Sequence, residues 1–225
     1  LDLPPVQDCT GDKRLDLTIG LSLQLEPVPQ IMQHGPGFYY VLQILPVGAQ
    51  AETQIESRPI DDWRTSHYEM NAAMIYEPYM ISIKAINSVG EASADPPIII
   101  GYSYEAQPTV TPTNFVVEEE GDTYAIFSWE FDKSEVNKTQ SRIRGEFRGF
   151  QIILWEQNQK ALTVREQDIG PDVVKNATGN TFTARVENMV PNTKMEAQIA
   201  VLNNYFIGVP TETVRFTTQP GCEYQ

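Results

Sequence analysis

The chain has little of the material from which enzymes and metal proteins are built. Its 225 residues include two cysteines and two histidines. Cys9 and Cys222, near opposite ends, supply neither a disulfide framework nor a cysteine zinc site. His34 and His67 cannot make a three-histidine centre, and no Gly-x-Ser-x-Gly elbow or His-Glu-x-x-His helix occurs. The sequence therefore nominates no catalytic residue, no metal ligand and no cofactor. Positive charge is scarce too: 16 Lys plus Arg face 30 Asp plus Glu, a formal charge of −14. That is the wrong sign for gripping phosphate backbones or an anionic membrane, so nucleic acid is excluded as a partner. No apolar run approaches the roughly 18 residues that span a bilayer. A basic start followed by an apolar stretch, the mark of a signal peptide, is also missing. The chain reads as a piece cut from a longer protein, with any membrane attachment outside it. What remains is ordinary: 41% hydrophobic and 20% charged residues, the composition of a folding globular chain.

Periodicity supplies the fold class. Leu15, Leu17, Ile19, Leu21, Leu23 and Leu25 alternate with polar or small residues. A strand puts all six on one face, whereas a helix would scatter them. Tyr79, Ile81, Ile83 and Ala85 repeat the pattern, entered at Pro78 and left through Asn87-Ser88-Val89-Gly90. Between them, His34-Gly35-Pro36-Gly37 predicts a turn before residues 38–45, a segment apolar on both faces and therefore central in a sheet. No stretch of ten residues carries a helical stripe. Short strands separated by turns, with 16 prolines and 14 glycines in the chain, predict an all-β sandwich.

The second half repeats the first at an offset of roughly 110 residues. Ala125, Phe127 and Trp129 answer Leu21, Leu23 and Leu25, making Trp129 the expected core tryptophan. Residues 150–155 answer 40–45, Met195, Ala197, Ile199 and Val201 answer Tyr79 to Ala85, and Asn203 stands where Asn87 does. Two sandwiches of the usual size follow, over residues 1–104 and 105–225, joined by a short proline-containing linker within residues 102–111. At the far ends of two such domains set end to end, Cys9 and Cys222 could not pair within one molecule.

The run Pro78-Tyr79-x-Ile81-x-Ile83-x-Ala85-x-Asn87-x-x-Gly90 resembles the sixth strand of fibronectin type III repeats. That resemblance implies a tyrosine corner at Tyr79, its hydroxyl bonded to backbone just upstream. The second copy departs from it, with Met195 in the tyrosine position, and the first departs at Leu25, where the family has tryptophan. Gly35-Pro36-Gly37-Phe38-x-Tyr40, Ile100-Gly101-Tyr102-Ser103-x-Glu105 with Pro108 and Pro112, and Arg144-Gly145-x-Phe147-Arg148-Gly149-Phe150 are narrower. They resemble the ectodomain repeats of the neurofascin and neuroglian family of neural cell-adhesion molecules. The resemblance implies the third and fourth fibronectin repeats of a single-pass membrane glycoprotein. It also implies an extracellular location and roles in adhesion, axon guidance and dendrite morphogenesis. Expected partners are extracellular domains of other cell-surface or secreted proteins, with weak homophilic contact at most. The missing cysteine pair and Trp-Ser-x-Trp-Ser argue against a cytokine receptor. A structural spacer in a cytosolic muscle-type array or a secreted enzyme stays open on composition.

Candidate sites follow from these assignments. If Tyr40, Leu42 and Ile44 face the core, then Tyr39, Val41 and Leu45 face out, and so do Met80 and Ile86 on the sixth strand. The five are expected to form one apolar strip for a protein partner, unless a neighbour such as Trp63 covers them. Lys138, Arg142, Arg144 and Arg148 concentrate positive charge in one long loop, a candidate for an acidic neighbour or a glycosaminoglycan. Asn137-Lys138-Thr139 and Asn176-Ala177-Thr178 are N-glycosylation sequons, in expected loops. Glu118-Glu119-Glu120-Gly121-Asp122 lacks the interleaved spacing of a calcium loop and reads as a solvated hairpin turn.

Overall fold

The structure, a computed structural model, describes residues 20–48, 56–71, 74–92, 95–138, 140–177 and 179–221. The first half of the leucine-rich strand, both cysteines, Thr139 and Thr178 lie outside these residues. The chain divides into two compact units, the first ending at Tyr104 and the second beginning at Glu105.

In the first unit, β1 (Gly20–Gln24) pairs antiparallel with β4 (His67–Asn71). Opposite them lies a sheet built on β2 (Tyr39–Pro46) and β5 (Pro78–Asn87), with β3 (Glu56–Ile60) beyond β2. The far edge of β5 carries β6 (Gly90–Glu91) and β7 (Ile99–Tyr102). Alternation puts Leu21, Leu23, Tyr40, Leu42, Ile44, Tyr79 and Ile81 into the core between the sheets. The central position expected for residues 38–45 is observed, with β2 between β3 and β5. The Tyr79 hydroxyl donates to the Glu77 carboxylate at 2.8 Å, so a side chain two residues upstream serves the corner.

In the second unit, β8 (Thr113–Glu120), β9 (Ala125–Glu130) and β12 (Thr181–Val186) form one sheet. The other runs in the order β11 (Arg165–Ile169), β10 (Gly149–Glu156), β13 (Lys194–Leu202) and β14 (Val214–Thr217). Three strands pack against four around an aromatic core in which Phe127, Trp129 and Phe150 are fully buried. Met195, which lacks the corner hydroxyl, packs into that core. Gly149 opens β10 at φ +119 with the Ile169 carbonyl against it, and a Cβ there would strike that oxygen. Helices among the described residues are short: α1 (Lys160–Thr163), α2 (Asp172–Asn176) and two 3₁₀ turns.

The run read as a linker is built into the units. Tyr102 ends β7, and the buried Ser103 Oγ donates to the Met74 carbonyl at 2.7 Å and accepts from the Glu77 amide at 2.8 Å. Tyr104 N–H donates to the Gly20 carbonyl at 2.8 Å. On the other side, Ala106 and Val110 are buried in the second unit, and the amides of Ala106 and Thr109 donate to the Arg144 and Arg142 carbonyls.

Candidate functional site

The outer face of the first unit's larger sheet is the candidate site. Tyr40, Leu42, Ile44, Tyr79 and Ile81 are buried, so Tyr39, Val41, Leu45, Met80 and Ile86 point the other way, each half-buried. The register does not join them into one strip. Tyr39 pairs with Ile86 at one end and Leu45 with Met80 at the other, while Val41 lies opposite Lys84 and Gln43 opposite Ser82. Ser82 Oγ donates to the Gln43 side chain at 3.3 Å, closing a polar band across the middle. The expectation of a contiguous strip is thus corrected: cross-strand neighbours are set by register, which alternation on either strand does not reveal. Trp63, the expected cover, packs against the core.

The Leu45 end extends further than the sequence suggested. Met80 pairs on its other side with Ile100, giving a Leu45–Met80–Ile100 row across three strands. Ile98, just before β7, is 67% exposed, Ile100 60% and Tyr102 50%, a period-two stripe along this edge. Tyr76 stacks on Tyr102 with ring centroids 4.7 Å apart, holding that phenol side-on. The 98–102 segment is not legible in the sequence, because Ile98-Ile99-Ile100 is apolar throughout and hides its alternation, while the following Gly-Tyr-Ser reads as linker.

The same row in the second unit has different chemistry. Trp155, Glu196 and Arg215 are consecutive cross-strand partners on β10, β13 and β14. The Trp155 indole N–H donates to Glu196 Oε2 at 2.7 Å, and Arg215 Nε donates to Glu196 Oε1 at 2.9 Å. Lys160 lies over the indole with Nζ 3.8 Å from the ring centroid. The Arg215 bond, then the indole bond, holds the Glu196 carboxyl below its ordinary pKa. Trp155 is buried beneath this cover.

The basic loop is not a free cationic surface. Glu135, 1% exposed, accepts from Lys138 Nζ at 3.2 Å, Arg142 Nε at 3.2 Å and the Arg142 amide at 2.9 Å. Burial would raise its pKa, but these donors outweigh burial and hold it below the ordinary value. Arg144 donates to the Gln107 carbonyl at 3.3 Å, and Arg148 meets the Asn204 side chain and, at 3.7 Å, Glu146. The loop's cations are engaged with the unit's own carbonyls and carboxylates. Glu105, from the motif that carried the family resemblance, accepts from the amides of Glu146 and Asn204 at 3.0 Å each and from Asn204 Nδ2 at 2.8 Å. Burial pushes its carboxyl up despite those donors.

In the acidic hairpin, Glu118 accepts from Ser128 at 2.5 Å and Glu119 bonds the Tyr124 hydroxyl. No group of three or more potential metal ligands forms among the described residues. Asn137 is exposed at the end of the 3₁₀ turn Lys133–Asn137, and Asn176 ends α2.

No family model matches the chain. Neuroglian of Drosophila melanogaster is 27% identical over 205 residues, covering 89% of this chain and 14% of that protein. The human neural cell adhesion molecule L1-like protein is 30% identical over 204 residues, 90% of this chain and 16% of its own. Rat contactin-6 is 25% identical over 209 residues, 93% of this chain and 18% of its own. Its homologues are neural cell-adhesion molecules. The chain spans less than a fifth of the length of these relatives. The solved FN1–FN3 domains of chicken contactin-1 match with a TM-score of 0.61 at 20% identity, over 89% of this chain and 62% of that one. The fold is therefore that of tandem fibronectin type III sandwiches. Like the adhesion molecules it matches, this neural adhesion-molecule homologue is non-enzymatic and belongs on the extracellular side of the plasma membrane. No helix among the described residues is long and apolar enough to cross a membrane.

Proposed function

We propose that this chain is the third and fourth fibronectin repeats of a neural adhesion receptor, and that the first unit's outer face docks the extracellular domain of another protein. The observation that carries this reading is the Leu45–Met80–Ile100 row, flanked by the exposed Ile98 and Tyr102. Contiguous exposed apolar surface is costly in water, and Met and Tyr are enriched where proteins meet. The partner is a different protein. Two copies each carrying −14 repel at long range, and the loop that could have offset this has Lys138 and Arg142 engaged by Glu135 and Arg148 by Glu146. The partner's matching surface is apolar at its centre, and its face bears net positive charge. The second unit, whose equivalent row is closed by Glu196 and Arg215, acts as a spacer. In this role the chain contributes to adhesion and to the patterning of axons and dendrites. The test is binding of the chain, as a labelled multimer, to a panel of neuronal cell-surface ectodomains. Ile100→Lys is expected to abolish a specific signal while leaving the melting temperature nearly unchanged. A signal that survives Ile100→Lys, or self-association as the sole binding event, overturns the proposal.

A further inference from the structure

The direction in which β7 points its backbone groups follows from its bonds. The Ser103 amide donates to the Glu77 carbonyl at 3.0 Å, and these two residues continue the β7–β5 register, in which Gly101 faces Tyr79 and Ile99 faces Ile81. In an antiparallel ladder only alternate residues exchange bonds with the neighbouring strand. Ile99, Gly101 and Ser103 therefore turn their amides and carbonyls toward β5, and Ile100 and Tyr102 turn theirs away from it. The other side of β5 agrees, because the Val47 amide donates to the Pro78 carbonyl and the even-numbered residues of β5 serve β2. Among the described residues no strand lies beyond β7. The next amide of the outward set, that of Tyr104, donates to the Gly20 carbonyl, which leaves the backbone groups of Ile100 and Tyr102 open. The side chains of the same two residues, with Ile98, form the exposed stripe alongside.

An open edge is a template for another strand, and proteins blunt such edges with charge or proline. Other edge strands of this chain are blunted: β3 carries Arg58 and Pro59, β4 Glu69, β11 Glu166 and Asp168, and β14 Arg215. β7 reads Ile99-Ile100-Gly101-Tyr102, with no charge and no proline. We infer that the first unit takes up an extended segment of its partner as a strand added to β7. The segment's backbone bonds to Ile100 and Tyr102, and its alternate, apolar side chains lie on the stripe formed by Ile98, Ile100 and Tyr102. In this mode of recognition the main-chain bonds give affinity and the alternate side chains give specificity. The chain's charge of −14 favours lysine or arginine at the segment's remaining positions. The inference rests on the proposed docking of another protein at this face and adds the form in which that protein is recognised.

The probe is a capped eight-residue peptide of alternating valine and lysine, added to the folded chain and followed by amide hydrogen exchange. In the free chain the Ile100 and Tyr102 amides are expected to exchange openly while those of Ile99 and Gly101 are protected. The peptide is expected to slow Ile100 and Tyr102 at least tenfold. The same peptide N-methylated at its valines, the residues opposite Ile100 and Tyr102, is expected to slow neither, and this comparison needs no variant to fold. Ile100→Pro removes one outward N–H without touching the bonds to β5 and should abolish the slowing at Tyr102, whereas Ile100→Val keeps the N–H and should retain it. Exchange at Ile100 and Tyr102 that is slow before any peptide is added, through the chain's own residues or a second copy, overturns the inference. So does a rate that the peptide leaves unchanged. Either result leaves the docking of an ectodomain standing, because that reading is decided by the panel experiment with Ile100→Lys.

Discussion

The two units put different chemistry at one address. The Leu45–Met80–Ile100 row of the first and the Trp155–Glu196–Arg215 row of the second occupy equivalent cross-strand positions on equivalent sheets. In the second unit a carboxylate at the centre collects an indole N–H and a guanidinium, and a lysine covers the ring. In the first, the central residue is Met80, with nothing to ionise and nothing to bond. The fold therefore does not require this face to be apolar, since one copy closes it with polar groups. The difference is what the proposed function rests on: the apolar row as the docking face, the closed row as part of a spacer.

The cores differ in the same direction, which gives the largest test. Trp129 is fully buried among Phe150 and Phe182, whereas its counterpart Leu25 only packs at the margin of the first core. Trp129→Ala should cost the second unit about 3–5 kcal/mol in denaturant unfolding. Leu25→Ala should cost the first roughly 1 kcal/mol. Similar losses would break the contrast between the two cores. Next comes Glu135→Gln, which withdraws a buried charged acceptor and should cost the second unit about 2 kcal/mol. Because the folded pKa of Glu135 is depressed, its stabilisation is full above the unfolded value and fades as the solution is acidified through the carboxylate range. The gap between wild type and variant, followed by melting against pH, should therefore close in acid. A smaller effect, about 1 kcal/mol in the first unit, is expected for Tyr79→Phe, which removes the bond to Glu77. The second unit, with Met195 at that position, has no such bond to lose. The smallest is Glu196→Gln. Its depressed pKa predicts a modest fall in melting temperature at neutral pH that disappears below about pH 4. A pH-independent difference would show that the closed row is not held by charge.

The strands were legible where alternation ran long enough. Tyr79 to Ala85 and Phe150 to Trp155 fall on β5 and β10, and the repeat correctly matched Asn87 with Asn203. Both side chains cap their following turns: Asn87 Oδ1 accepts from Val89 and Gly90, and Asn203 Oδ1 from Tyr205 and Phe206. The site was legible only in part. Outward orientation of Leu45 and Met80 follows from period two, but their separation from Tyr39 and Ile86 by Lys84 depends on register, a property of two strands together. β7 is not legible because four residues carry too little period to outweigh a glycine and a neighbouring proline pair. Glu135 was invisible for another reason: a glutamate among lysines and arginines in a loop reads as solvated, and only packing reveals that it is buried.

The central claim is that the apolar row of the first unit makes the contact. It is tested most directly by giving that row the second unit's residues, Leu45→Trp, Met80→Glu and Ile100→Arg together, and titrating the variant against a captured ectodomain partner. The account predicts affinity weakened at least tenfold with the melting temperature held within a few degrees, since the second unit already tolerates these residues at these positions. Affinity within twofold of wild type on a folded variant would contradict it.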